Sequence, residues 1–406
     1  MNEIPLTEME TQLRALMNAA VGDPPRRITA EAVRRGAARR RLMAQLAVSA
    51  AIIAFGGIGA ALAAQSGGPG PSGVTGSPRA NPPRYYIVQS FGPHRFQTAV
   101  RTTANGAVTA TVHCPSAAPD ISVSSVTPAA HETFFLVCDK TTLTEPRSVL
   151  SFRIYRFQIT SAGRISGYTP VRGGTMTGLS DGSVAVTPDG SEIAVAVSPG
   201  GVPQGGIAPP EVIVINTGTG SHAIWHGAPD TPGTIRYPVY DLSLTANGKE
   251  MAFLSQPRCL DKKKFPSCKV TGGEEMRAVY HARGGGRLAS ARVIFRQAWL
   301  MRLAVGYIND AVLTPDGSSA TVAEVDWPLG HVSIASVSAA TGRQVAVIYR
   351  VSTGNGFSYR AFSADASGRW LLLDVGPSSG SINGWIDHGK LIRLKPAGDS
   401  VAWEVW

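Results

Sequence analysis

Acidic residues are scarce in this chain of 406: 28 Asp and Glu stand against 38 Lys and Arg, giving a formal net charge of +10. Most of those acids sit in turn-like contexts, so linear spacing places no carboxylate pair for acid–base work. A strand-to-helix nucleophile elbow and a Gly-rich cofactor fingerprint are both missing. Gly284-Gly285-Gly286 lacks the lysine and Ser/Thr of a phosphate loop and reads as a hairpin turn. The eight histidines are scattered. His222 and His226, four apart, flank a short strand and not one face of a helix, so no metal site is expected there. Cysteine is limited to four, none before Cys114. Neither sequential pair has the two-residue spacing of a structural zinc site. No catalytic residue, cofactor or metal ligand is therefore expected from linear motifs.

One long apolar stretch stands out against this background. Leu42 to Ala64 is a run of 23 residues without a charged side chain. At 1.5 Å per residue it spans a bilayer core of roughly 30 Å. Arg34, Arg35, Arg39, Arg40 and Arg41 precede it, and a Gly/Pro/Ser-rich segment, Gln65 to Pro83, follows. The positive-inside rule then predicts a cytoplasmic N-terminus and an extracytoplasmic C-terminal part. Ala61-Leu62-Ala63 offers a small-x-small cleavage pattern, but 41 residues ahead of the run is long for a signal peptide, so an uncleaved anchor is the reading and cleavage its alternative. No cysteine closely follows that lipid could modify. Gly56 and Ala60 have the spacing of close membrane-helix contacts, which leaves a homodimer open.

The divisions are thus 1–41, a basic helical tail; 42–64, a transmembrane helix; 65–83, a linker; and 84–406, an outer domain. In the tail, Thr7 and Glu10 form a capping box ahead of Leu13 and Leu16, and Gly22-Asp23-Pro24-Pro25 ends that helix. Thr29 opens a second helix that leads into the arginines, which suit anionic lipid headgroups. Eight arginines against five acids make the tail +3 and leave about +7 elsewhere. The arrangement resembles actinobacterial single-pass membrane proteins, some associated with alternative sigma factors. The tail has no His or Cys, so it departs from the zinc-binding anti-sigma pattern. That resemblance implies, as an alternative role, a transmembrane accessory to a cytoplasmic regulator.

Beyond residue 84 long helical periodicity gives way to short β-type runs between Gly, Asn, Asp and Pro turns. An imperfect repeat organises them. Thr187-Pro188-Asp189-Gly190, Thr245-Ala246-Asn247-Gly248, Thr314-Pro315-Asp316-Gly317 and Asp365-Ala366-Ser367-Gly368 each precede an apolar strand, with the glycines 58, 69 and 51 residues apart. Thr127 to Glu132 is a degenerate fifth copy. Second hairpins turn at Asn216 to Gly220 and at Ala340 to Gly342. Four antiparallel strands per unit make a β-propeller blade. The turns resemble those of WD40-like and TolB-like propellers, without the Gly-His and Trp-Asp marks of true WD40 repeats. The fold class expected is all-β: a six-bladed propeller, alternatively seven-bladed, closed by Val401 to Trp406 joining the first blade. The four cysteines suit an oxidising compartment. Sequential pairing, Cys114 with Cys138 and Cys259 with Cys268, is the preferred one of three connectivities. The propeller register places both bridges on one face.

That face also gathers the candidate binding residues: Arg258, Lys262, Lys263, Lys264, Lys269 and Phe265 in the second cysteine loop, and Trp327 in Asp326-Trp327-Pro328. Cations beside aromatics suit an acidic protein patch or an anionic polymer. Trp299 and Trp385 are further ligand-facing candidates, whereas Trp370 opens an apolar strand and is read as core. Function is then expected to be binding of a protein or cell-envelope polymer, as sensor, scaffold or assembly factor. Nucleic acid is not an expected partner outside the membrane, and the bilayer is contacted through 42–64. A propeller can assemble a site from distant loops, so an extracytoplasmic hydrolase or lyase stays open as the alternative.

Overall fold

A computed structural model describes residues 82–405, except for segments 92–95, 117–120, 145–146, 199–209, 228–234, 237–238, 257, 260–273, 298–306, 327–329, 353–356, 378–381, 388 and 395–399. The expected tail and anchor, 1–64, and nearly all of the linker lie outside the described residues. Among the described residues no helix is long and apolar enough to cross a membrane.

Among the described residues the strands group into six blades of four antiparallel strands, the third extended by a short parallel strand. Blade one contains β1 (Tyr85–Phe91), β2 (Phe96–Thr102) and β3 (Val108–Val112); blade two contains β4 (Ile121–Pro128), β5 (Thr133–Thr144), β6 (Arg147–Ile159) and β7 (Ile165–Thr177). Blade three is β8 (Leu179–Val186), β9 (Glu192–Ser198), β10 (Glu211–Asn216) and β11 (His222–His226). A two-residue strand, β12 (Ile235–Arg236), precedes blade four. That blade is β13 (Tyr240–Leu244), β14 (Glu250–Ser255), β16 (Glu275–Tyr280) and β18 (Arg292–Arg296), with the short β15 (Arg258–Cys259) and β17 (Gly286–Arg287) in its connections. Blade five is β19 (Tyr307–Leu313), β20 (Ser319–Asp326), β21 (His331–Ser338) and β22 (Gln344–Ser352); blade six is β23 (Phe357–Ala364), β24 (Leu371–Pro377), β25 (Ile382–Asp387) and β26 (Lys390–Arg393). The last strand, β27 (Ser400–Val405), pairs with β1 and completes blade one, so sheet order there is β27-β1-β2-β3.

The ring closes in the packing as well as in the order. The innermost strands touch in the cycle β27, β4, β8, β13, β19, β23 and back to β27. Six hydrophobic clusters fill the six junctions between successive blades. Six blades, and not seven, account for every sheet of four, and closure leaves no innermost strand without a neighbour.

The sequence pattern explains which strand goes where. A second strand is flanked by strands on both sides and by blades on both faces, so it reads as a nearly continuous apolar run. Ala194 to Val197, Met251 to Leu254, Ala320 to Ala323 and Leu371 to Leu373 are all buried. Outermost strands lose that enclosure; in β7 the one buried residue of thirteen is Gly174, and β22 has none.

The turns at Thr187, Thr245 and Thr314 between first and second strands repeat one geometry. The Thr187 hydroxyl donates to the Asp189 carboxylate (2.6 Å) and accepts the Glu192 amide (3.0 Å), while the Gly190 amide donates to the Thr187 carbonyl (2.8 Å). Thr245 with Asn247 and Thr314 with Asp316 do the same. Glycine is required twice over. Its φ is +72° at Gly190 and +69° at Gly368, and each glycine abuts the preceding blade's turn region: a Cβ would come 3.2 Å from the Phe135 ring at Gly190 and 2.7 Å from Pro315 at Gly368. Backbone bonds from Ala130 to the Pro188 carbonyl (2.7 Å) and from Ala246 to the Pro315 carbonyl (2.6 Å) tie successive turns together. In the degenerate copy β4 runs through Pro128, and His131 and Glu132 take up the positive φ instead.

The glycine triplet at 284–286 is a correction: it forms no simple hairpin. Ala282 to Gly284 is a 3-10 turn, and Gly286-Arg287 then pairs in parallel with Trp225-His226 of blade three. A Cβ on Gly285 would lie 2.8 Å from the Ile224 carbonyl and one on Gly286 3.0 Å from the Trp225 ring. The close approach of a strap from blade four to blade three is what those glycines permit. The Trp225 indole donates to the Ala282 carbonyl (2.8 Å) beneath it.

Candidate functional site: the connection-bearing face

The meander gives the ring two unlike faces. On one, the short turns from first to second strand interlock from blade to blade. On the other, second strands end, third strands begin, and each blade hands over to the next. Cys114, just past β3, and Cys138, within β5, form a disulfide with a Cα–Cα distance of 5.9 Å. It joins blade one to blade two, as expected from the register, although β5 continues past Cys138 to Thr144. The Cys259–Cys268 pairing falls outside the described residues, as do the side chains of Arg258, Lys262, Lys263, Lys264, Phe265, Trp299 and Trp327 and the loop around Lys269.

The backbone holding those loops is described. β14 ends at Ser255 and β16 begins at Glu275, so the basic loop leaves blade four from this face. Its first residues, Arg258-Cys259, pair antiparallel with Ile235-Arg236, the connection entering the same blade. Next to it in the ring, β20 ends at Asp326 and β21 begins at His331, paired directly across the hairpin that holds Trp327. The two candidate loops therefore spring from adjacent blades on one face. Trp385 does not join them. It packs edge-on against Trp370 with ring centroids 5.2 Å apart, and Trp370 is buried, as read from its apolar strand. Both belong to the junction between blades six and one.

Charged side chains brace the roots of these loops. The buried Glu275 accepts from Arg277 (2.5 Å) and Arg296 (3.2 Å), and Arg277 also donates to the Ala291 carbonyl (3.1 Å). The Glu274 carboxylate accepts the Ile308 amide at 3.1 Å, tying the entrance of blade five to blade four. Glu324 lies on β20 opposite Ser333, which lies opposite Arg350. Burial pushes its carboxyl above the ordinary value, and Arg350 offsets only part of that. On the turn face, the buried Glu192 pairs with Arg283 of the strap; burial raises its pKa too, with the guanidinium opposing.

Sequence reasoning missed a second feature of the innermost strands. In all six blades their register with the second strand slips: at Gln89/Ser90 opposite β27, and at Val123/Ser125, Ser180/Val184, Tyr240/Ser243, Ile308/Asp310 and Tyr359/Ala361. Bulges re-aim side chains, and they recur here at one level around the ring. Polar residues near this level link neighbours: Ser183 Oγ accepts the Leu242 amide (2.8 Å) and, two positions nearer the turn, Ser243 Oγ accepts that of Leu313 (3.1 Å). Polar residues do fall at these positions, Ser124, Ser183, Asp241, Asn309 and Arg360, but the same strands carry other polar residues, so the sequence does not single them out. Two stretches, Gly178 to Gly182 and Gly376 to Gly380, match the letters G-x-S-x-G. The first lies at the start of β8 and leads into more strand, so Ser180 lacks the strand-to-helix turn that makes an elbow. Among the described residues no cluster of His, Cys, Asp and Glu could hold a metal ion. A shallow cavity of about 320 Å³, lined by Arg156, Gln158, Tyr168 and neighbours, lies on the outer strands of blade two, away from both candidate loops.

No family model and no curated protein matches the chain. Among solved structures it is similar to Porphyromonas gingivalis dipeptidyl peptidase 4, at 10% identity over 78% of this chain and 45% of that one, with a TM-score of 0.35. It is similar to the β-propeller domain of Myceliophteria thermophila Cps50 (Swd1), at 12% identity over 81% and 90% (TM-score 0.38). The Pseudomonas aeruginosa periplasmic gluconolactonase PpgL matches at 16% identity over 78% and 97% (TM-score 0.38). The chain spans less than half the length of the peptidase. Scores at this level say nothing about activity; the six-bladed assignment rests on strand order and ring closure.

Proposed function

We propose that the chain is a single-pass membrane protein, anchored through 42–64 with its N-terminus in the cytoplasm, whose extracytoplasmic propeller binds a protein or an anionic envelope polymer. Binding takes place on the connection-bearing face, at Trp327 together with Arg258, Lys262, Lys263, Lys264 and Phe265, and serves sensing, scaffolding or assembly. The observation that supports this most is the adjacency of the two loop roots: β14 and β16 beside β20 and β21, with Arg258-Cys259 seated against Ile235-Arg236. Loops rooted side by side on neighbouring blades of a rigid ring, one rich in cations and one with an aromatic in its sequence, suit recognition of an extended anionic surface. The interlocked turns of the opposite face leave little room for such variation.

The test is proximity labelling in the native organism, with labels on the N-terminus and on the propeller, followed by mass spectrometry and envelope-polymer pull-down. Partners or polymer enriched on the outer label, and lost when Trp327 and Lys262 to Lys264 become alanine, are the expected result. Enrichment that survives those substitutions would remove this face from the proposal, and outer partners found on the N-terminal label would reverse the orientation.

A further inference from the structure

The outermost strand of blade five differs from its counterparts. In β22 the side chains of Gln344, Val345, Ala346 and Val347 are all exposed, Val345 at 68% and Val347 at 44%. No strand flanks its outer edge among the described residues. Elsewhere that edge is shortened, interrupted or covered. β11 is flanked by β17, β7 contains Pro170 and a Gly173-Gly174 pair, β3 and β18 have five residues each, and β26 has four. A nine-residue edge with three successive exposed apolar residues presents unpaired backbone groups beside apolar surface, which is what takes up another strand.

The fully exposed charges on and beside the strand are basic. Arg343 lies just before β22, Arg350 lies within it, and Arg393 of β26 is close enough to act on Tyr349; all three arginines are exposed. The turn before β26 abuts the strand, since a Cβ on Gly389 would come 3.1 Å from the Ile348 carbonyl. The acids nearby are Glu324, half-buried and under the influence of Arg350, and Asp387, half-buried opposite Lys390 in the turn that abuts the strand. A second copy of the chain is a poor occupant: it would set three arginines against three.

We propose that the outer edge of blade five docks an extended, acidic segment of a partner protein, whose apolar side chains cover Val345 and Val347 and whose carboxylates meet Arg343, Arg350 and Arg393. This surface is separate from the connection-bearing face and stands independently of it.

Fluorescence anisotropy with the full-length protein in detergent tests it, using a labelled nine-residue peptide alternating valine with glutamate and a second alternating valine with lysine. The glutamate peptide is expected to bind at least tenfold more tightly, and to weaken at least tenfold in Val347→Glu and in Arg350→Glu/Arg393→Glu. Val345→Glu, at the most exposed position, is the companion variant should either of these lower the melting temperature. Equal binding of the two peptides, no binding of the glutamate peptide, or affinity unchanged in the variants would overturn the proposal. Concentration-dependent dimerisation abolished by Val347→Glu would assign the edge to a second copy and overturn it as well.

Discussion

Removing the bridge between blades one and two has a calculable consequence. Cys114 and Cys138 are 24 residues apart, so the bond closes a loop of about 25 residues in the unfolded chain. The chain-entropy relation gives about 12 cal/mol/K for such a loop, or about 3.5 kcal/mol at 25 °C. Unfolding of the roughly 250 described residues at about 2.1 cal/mol/K each turns this into a fall in Tm of about 7 °C. Both cysteines are buried among Tyr85, Val112, Val126 and Leu136, so alanine preserves an apolar environment. Differential scanning calorimetry should compare Cys114→Ala, Cys138→Ala and the double variant with the parent chain. Because one bond is lost in every case, all three should fall by nearly the same amount, and the single effects should not add. A double variant melting within 1 °C of the parent, or single effects that sum to the double, would refute the cross-link as the source of stability. Added reductant is a poorer test, since it does not act on this bridge selectively.

Further outcomes follow from the turns, the strap and the buried acids. Asp316→Asn should cost stability at neutral pH, though less than Asp316→Ala, because an amide oxygen can still accept the Thr314 hydroxyl and Ser318 amide, as Asn247 does those of Thr245 and Lys249, but loses the Ser318 hydroxyl bond and the charge the folded turn favours; Asp316→Ala should cost about 1 kcal/mol in chemical denaturation. Gly286→Ala, at φ +153° and facing the Trp225 ring, should lower stability by at least about 1 kcal/mol, and urea unfolding would show it. Glu324 has a folded-state pKa above its unfolded value of about 4.3, so the folded chain holds its proton more tightly and stability declines as pH rises through that window. Glu324→Gln should therefore raise the melting temperature at pH 7 and match the parent near pH 4, and a pH-independent difference would count against burial as the cause.

Much of the fold was legible because propeller blades write themselves locally. The Thr-Pro-Asp-Gly turns, with the apolar runs after them, mark first and second strands, and the hairpin at Asn216 to Gly220 marks third and fourth. Ring closure by Val401 to Val405 followed from three leftover strands needing a fourth. The Cys114–Cys138 bridge followed from the same register. What escaped was non-local. The glycines at 284–286 look like a turn by composition, and only the approach of Trp225 from another blade explains them. Trp385 could not be told from a ligand-facing ring until Trp370 packed against it. The bulges were hidden because a slip in register alters pairing without altering composition. Arg258, the lysines 262 to 264, Phe265 and Trp327 were chosen for side-chain chemistry, and of their surroundings the structure describes the loop roots alone.

The most direct measurement is site-specific photo-crosslinking in intact cells, with a photoreactive side chain placed at residue 327 on the connection-bearing face and at residue 247 on the turn face. Adducts to an envelope protein or polymer from position 327, and none from 247, are expected. Adducts from 247 alone, or equally from both positions, would contradict recognition by the face that blades four and five build together.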